Sequence, residues 1–445
     1  MGLTGLDIFK QLPKTNCGDC GVPTCLAFAM KLAQKQASLD QCPHVSEEAK
    51  AALEGASAPP IKLVTVGAGD RKLEIGNETV LFRHEETFHH ATGIAVLVDA
   101  SLAEEERKKR IAAIGETTFE RVGQELRLDA AGLRGEGEQF VKAAHSAAAE
   151  SAVPLILMSE DAETMGQALV GCAEKRPLIY AATAENVEAM ASLAKEHGCP
   201  LAVRGGDLSS LAEVSEKAQA AGAADLVLDS GARRPAEVLA NETAIRRAAL
   251  RKRFRPFGFP TITFTEAEDP LEEAVQASSY IMKYAGIVVI GAMEAWELLT
   301  LATVRQNIYT DPQKPIQIEE GVYQIGTPDE DSPVLVTTNF SLTYFTVEGD
   351  VEASRVPAWV VVVDTEGTSV LTAWAAEKFT AEIIAEKVKT FDVGSKVKHR
   401  KLILPGHVAV LSGKLEEELS EEWEVLVGPR ESSGIPSFLR QSWSS

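Results

Sequence analysis

Four of the six cysteines lie in the first tenth of the chain, at Cys17, Cys20, Cys25 and Cys42, with spacing C-x2-C-x4-C-x16-C. Thiolate is the ligand form of cysteine, and four thiolates suit an iron–sulfur cluster or zinc. Gly18 and Gly21 sit beside the ligands, where they permit a tight turn and let backbone N–H groups approach sulfur. Pro43 follows Cys42, as a proline follows the last ligand of bacterial ferredoxin runs. Structural zinc sites usually show two C-x2-C knuckles, so the x4 gap and the lone fourth cysteine favour a cluster. A pair of disulfides is the third possibility, and the expected reducing compartment argues against it. A module of under about 60 residues needs such a staple to hold together, so the metal is structural whatever else it does.

The chain has 445 residues, enough for two to four domains. Its formal net charge is −21, which argues against nucleic acid because neutralising phosphates needs a basic surface. The same charge disfavours anionic membranes. No apolar run reaches the length of a membrane span, and the start lacks a charged-then-apolar signal pattern. The expected location is the cytoplasm.

Residues 1–57 form the cysteine module. Leu6, Phe9 and Leu12 recur at helical spacing, residues 26–33 read as a helix leading back to Cys42, and Ser46 reads as the N-cap of another. Residues 54–60 read as a linker. Residues 58–315 alternate short apolar strands with amphipathic helices. The expected strands are 94–98, 121–124 running on toward 128, 155–158, 178–181, 201–203, 226–228, 261–264 and 287–290. Eight strand–helix units in this length predict a (β/α)8 TIM-like barrel, with an open doubly wound sheet as the alternative. At the strand ends, Arg204 with Asp207 and Asp229 with Arg233 are polar enough for a ligand, though helix caps and loop ion pairs give the same pattern. The basic run Arg246–Arg255 reads as an exposed, ion-paired helix face. His84, His89 and His90 read as surface or packing residues, and Cys172 and Cys199 as core thiols.

Residues 316–445 form a third unit, an open Rossmann-like α/β domain with strands at 334–337, 359–363, 402–404 and 424–427. The turns after them read Thr337-Thr338-Asn339-Phe340-Ser341, Gly367 to Ala373, Pro405-Gly406-His407 and Gly428 to Ile435. Small residues let a large ligand approach the backbone, and hydroxyls and amides give it a polar rim. None of these turns is a G-x-G-x-x-G or Walker loop.

The run Leu3–Gly21, the phrase Thr337–Tyr344 and the phrase Gly428–Ile435 resemble the large subunit of the corrinoid iron–sulfur protein of the CO dehydrogenase/acetyl-CoA synthase pathway, over essentially the whole chain. The resemblance implies a [4Fe-4S] cluster on Cys17, Cys20, Cys25 and Cys42, and a corrinoid (a B12-type cobamide) on the C-terminal domain. It implies contacts to Thr338, Asn339, Phe340, Ser341, Thr346, Val370, Leu371, Thr372, Ala373, Gly406, Gly428, Pro429, Arg430, Ser433 and Gly434, with Thr372 nearest the lower face of cobalt. It implies a heterodimer with a small, barrel-shaped subunit, and a methyl carrier rather than a stand-alone enzyme. The methyl group would come from methyltetrahydrofolate through a methyltransferase and pass to acetyl-CoA synthase. The cluster, fed by an electron donor or reductive activator, would return oxidised cobalt to its nucleophilic state. The sequence lacks D-x-H-x-x-G, by which many corrinoid proteins supply a histidine below cobalt, and His407 is not taken as a substitute. Two other classes compete: an iron–sulfur barrel enzyme acting on a small molecule near Arg204 and Asp229, and a zinc-stapled scaffold.

Overall fold

A computed structural model describes residues 5–33, 37, 39–46, 49, 59–313, 315–420 and 423–443. The expected linker at 54–60 lies outside them except for Pro59 and Pro60, as do residues 47 and 48 of the expected helix after Ser46. Ser46 itself accepts the Ala49 amide at 3.1 Å, as an N-cap would.

After the cysteine module, strands β1 (Val64–Val66) and β2 (Leu73–Ile75) form an antiparallel hairpin. The barrel follows. Its strands are β3 (Gly93–Asp99), β6 (Ala130–Arg134), β7 (Leu155–Met158), β8 (Leu178–Ala182), β9 (Leu201–Arg204), β10 (Leu226–Asp229), β11 (Ile262–Phe264) and β12 (Ile287–Ile290). They pair in the order β10-β9-β8-β7-β6-β3-β12-β11. A single parallel bridge, Leu228 to Thr261, joins the two ends into a ring.

Alternation explains why each strand reads as an unbroken apolar run. On β3, Ile94, Val96 and Val98 pack outward under the helices, while Ala95 faces the barrel interior. The β1–β2 hairpin plugs the lower end of the barrel, where Val64, Val66, Leu73 and Ile75 join the interior core.

One expected strand was misplaced. Residues 118–127 form a separate ribbon, β4 (Thr118–Arg121) and β5 (Gln124–Arg127), rather than a barrel strand. Its turn, Val122-Gly123, has φ of 54° and 67° at the two residues, the signature of a tight hairpin turn. The barrel strand is the next segment, Ala130–Arg134. The ribbon sits on the helix Ala295–Tyr309, with the Gln306 amide donating to the Arg121 carbonyl at 3.1 Å. Its tip reaches Phe345, which lies within 2.5 Å of where a Gly123 Cβ would stand, so Gly123 also admits the C-terminal domain.

That domain has strands β13 (Gly321–Ile325), β14 (Val334–Thr338), β15 (Ala358–Val363), β16 (Lys401–Leu404) and β17 (Glu424–Val427), ordered β13-β15-β14-β16-β17. All pairs are parallel except β13, an antiparallel edge strand where a boundary was expected. The helices Ser341–Ser354 and Ile435–Gln441 pack on one face, and Ala381–Thr390 and Ser412–Leu419 on the other.

The basic run is only partly the exposed face expected. Arg246 is buried, paired with Glu78 at 3.1 Å, and lies between the rings of Phe88 and Tyr284. The reason is that its helix crosses the barrel's lower rim, where a guanidinium ties the Val80 carbonyl in place.

Candidate functional site

In the cysteine module, Ile8 of the helix Gly5–Gln11 and Leu12 just beyond it share a core with Phe28 and Ala29 of a second helix, Cys25–Ala33. Thr24 caps that second helix by accepting the Ala27 amide at 3.2 Å. Cys25 therefore stands at a helix N-terminus, where the backbone field favours a thiolate. Asn16 accepts the Cys25 amide at 2.8 Å and so fixes the ligand loop against the helix. Gly18 and Gly21 have φ of +82° and +76°, and the Gly21 amide donates to the Gly18 carbonyl at 2.9 Å. A short 3-10 turn, Leu39–Gln41, delivers Cys42. Cys25 and Cys42 are buried in the module's apolar cluster, Cys20 is packed against it, and Cys17 is exposed. Outside Cys17, Asp19 and His44 pair at 2.7 Å; the His44 bond first, then one from Cys17, holds the Asp19 carboxyl below its ordinary range. The structure thus brings all four cysteines into one small module, two buried, one half-buried and one exposed, and four cysteine donors are the set that a four-iron cluster takes.

The second site is a cleft of about 320 Å³ at the upper end of the C-terminal sheet. The chain turns to opposite faces after β14 and β16, which are adjacent, and the cleft opens between them. This is the topological switch point, where open α/β sheets bind ligands. Thr337, Leu342, Thr346, Leu371, Pro405 and Arg430 are among its walls. Gly406 allows the turns after β16 and β17 to touch, since a Cβ there would lie 2.4 Å from the Gly428 carbonyl oxygen. The Gly406 amide donates to the Pro429 carbonyl at 3.0 Å. Beneath the cleft the hydroxyls of Thr337, Thr338 and Ser341 are buried without a partner. Buried hydroxyls normally find one, and of these three only Thr337 also lines the cleft. Leu342, Leu371, Trp374, Val410 and Val427 are exposed on this domain.

Residues 63–439 match the family described as CO dehydrogenase/acetyl-CoA synthase delta subunit, and residues 12–44 match an Fe-S cluster family. The chain belongs to the CO dehydrogenase/acetyl-CoA synthase subunit family. Within it, the chain is 51% identical to the corrinoid/iron-sulfur protein large subunit of Moorella thermoacetica, covering 100% of both chains. It is 38% identical to the acetyl-CoA decarbonylase/synthase complex subunit gamma of Methanothermobacter thermautotrophicus, covering 99% of both. These relatives are large or gamma subunits although the family description says delta, and their match includes the cysteine module that lies outside residues 63–439. Among solved structures, dihydropteroate synthase from Vibrio fischeri ES114 is similar at 13% identity and TM-score 0.39, over 56% of this chain and 99% of that one.

For this family member, the cleft gathers only some of the residues named from sequence. Thr346, Val370, Leu371, Gly428, Pro429 and Arg430 line it. Thr338, Ser341 and Ala373 are buried beside or behind it, and Gly406 is buried at its turn. Asn339 is buried and serves the fold: its carbonyl accepts the Thr365 and Gly367 amides at 2.9 and 3.0 Å, and its amide donates to Asp364 at 2.8 Å. Thr372 is exposed, outside the lining, with its hydroxyl 3.1 Å from that of Ser369. Phe340 is half-buried and Ser433 is exposed, both outside the lining, as is Gly434. Sequence reasoning missed Leu342 and Thr343 as lining residues, although both lie inside the phrase Thr337–Tyr344. His407 does line the cleft, and its Nε2 lies 3.5 Å from Glu431.

The barrel's upper end is a third concavity. Arg204 and Arg233 line it with Glu160. Asp207, named beside Arg204, instead caps the helix Leu208–Ala220 through a capping box with Ser210. Cys172 and Cys199 are buried as expected, and burial pushes their thiols up to about 12 and about 11, away from the nucleophilic thiolate form.

Proposed function

We propose that this chain is the large subunit of a heterodimeric corrinoid iron–sulfur methyl carrier, working with a small subunit in the acetyl-CoA pathway. The carrier takes a methyl group from methyltetrahydrofolate through a separate methyltransferase and gives it to acetyl-CoA synthase. The observation that carries this reading is the switch-point cleft, with the unpartnered hydroxyl of its lining residue Thr337, on the same chain as a four-thiolate module. The corrinoid supplies, when bound, a low-valent cobalt able to accept and release a methyl group. Leu342, Val370 and Leu371 offer apolar surface to the face of the ring. Thr337 and Arg430, which line the cleft, offer hydrogen bonds to its amide-bearing edge. Cys17, Cys20, Cys25 and Cys42 hold the [4Fe-4S] cluster that restores oxidised cofactor, with electrons from a separate donor. A cleft of about 320 Å³ is too small to enclose a corrin, so the small subunit covers the rest. Among the described residues no helix is long and apolar enough to cross a membrane, in keeping with a cytoplasmic carrier.

The test is an anaerobic purification of the native complex, followed by metal analysis and electron paramagnetic resonance. Iron and cobalt should both be present, with cluster and cob(II)amide signals. Absence of a cobalt signal, or zinc in place of iron, would sink the proposal. Leu371→Arg should lower bound cobalt at least fivefold and leave iron unchanged; unaltered cobalt would move the site elsewhere.

A further inference from the structure

The top layer of the barrel interior is unusual. Barrel interiors are filled by layers of branched apolar side chains. Counting inward positions up each strand, Leu178 is followed by Tyr180, Ala202 by Arg204, and Val227 by Asp229. The last layer is thus polar on three adjacent strands. Asp229 is 1% exposed. It accepts the Tyr180 hydroxyl at 2.6 Å and both terminal nitrogens of Arg233, at 3.0 and 2.8 Å. Arg233 lies over the ring of Phe264 at 4.6 Å, and Phe264 packs on Tyr180 at 5.0 Å. Burying such a network often costs stability relative to apolar packing of the same volume. Above it opens a cavity of about 760 Å³, within the range of small-molecule sites.

Charge decides what would fit. The arginines in the wall already have carboxylates: Arg204 meets Glu160 at 2.6 Å, Arg134 meets Asp99 at 3.5 Å, and Arg233 meets Asp229. The wall's Glu266 and Glu268 are exposed and make no ion pair among the described residues. Glu273, also in the wall, is held by the Gly291 and Ala292 amides, each at 2.8 Å. Behind it Glu297 is fully buried against Glu273; burial first, then the Glu273 charge and carboxyl, push its own carboxyl up to about 7, so it adds little negative charge to the wall. The floor is apolar and aromatic, with Leu97, Met158, Tyr180 and Phe264. An apolar floor under uncompensated carboxylates suits a ligand with a flat apolar body and a positive or N–H-rich edge, and repels an anion.

We propose that the barrel mouth is a second ligand site of this protein, separate from the cleft and the cysteine module, for a small aromatic cation or amino-bearing ring. The probes are benzamidine and its anionic counterpart benzoate, titrated calorimetrically into the anaerobically purified full chain. Benzamidine should bind at least tenfold more tightly than benzoate. The double substitution Glu266→Gln/Glu268→Gln should weaken it about tenfold, and Ala267→Trp, which fills the cavity, should abolish it. Iron content and the thermal unfolding midpoint should stay unchanged in both variants, which shows that they fold and keeps this test separate from that of the methyl carrier. No benzamidine binding, equal binding of benzoate, or binding indifferent to these substitutions would overturn the proposal.

Discussion

Glu242 sits fully buried on the helix Pro235–Lys252 and accepts the Thr261 hydroxyl at 2.6 Å. Burial pushes its carboxyl from the ordinary 4.5 up to about 8, against the opposing pull of that hydroxyl. The sign follows from proton counting. Between these values the folded chain holds a proton that the unfolded chain has released, so stability falls as pH rises from about 4.5 through about 8. Urea midpoints should therefore drop between pH 5 and pH 8 by the equivalent of roughly 3 kcal/mol, and Glu242→Gln should remove more than half of that slope. A slope unchanged by the substitution would mean that Glu242 does not carry it. Asn339 gives a second prediction at this scale. Asn339→Ala leaves the Thr365 and Gly367 amides without acceptors, at a cost of about 1–3 kcal/mol for each buried donor. Denaturation of the C-terminal domain should shift accordingly, and bound cobalt should fall because the turn leading to Val370 loosens. No sequence signal separated this supporting role from ligand contact, since an amide in a turn serves either.

The elements were legible where a short apolar run is bounded by polar turns, whether buried on both faces like Leu155–Met158 and Ile287–Ile290 or partly exposed at an edge like Glu424–Val427. All three appear with the ends expected. Legibility failed at Ala130–Arg134, because Ala-Ala-Gly-Leu-Arg carries no β-branched or aromatic residue. The ribbon just before it alternates polar and apolar residues and so drew the expectation of a barrel strand. The β1–β2 hairpin and the edge strand β13 were missed because three to five residues of mixed polarity give no period to read. The four cysteines stand out because their spacing alone marks them as a set, whereas the cleft is assembled from four turns far apart in sequence. The cysteine module has a small core of its own, chiefly Ile8, Leu12, Val22 and Phe28. Removing iron with a chelator should therefore expose residues 5–46 to protease while residues 59–443 stay resistant, as read by mass spectrometry of the fragments. Protection of the module after iron loss would show that its apolar core suffices.

The whole molecule sets a cleft with an apolar rim on one domain and a thiol cluster on another, tied through a barrel that contacts the C-terminal domain at Gly123 and Phe345. Because the cleft covers only part of a corrin, cobamide should bind the isolated chain at least tenfold more weakly than the heterodimer, measured by equilibrium dialysis; equal affinity would assign the whole site to this chain. The barrel itself has an asymmetry. Seven of its strand pairings are hydrogen-bonded ladders, whereas β10 and β11 meet through one bridge and one bond, from the Leu228 amide to the Pro260 carbonyl at 2.8 Å. Pro260 has no N–H with which to extend the contact. The ring is thus a bracelet with a clasp. Any widening of the bore is cheapest there, and it would draw Asp229 and Phe264 apart, so the mouth can change its width without any ladder being broken.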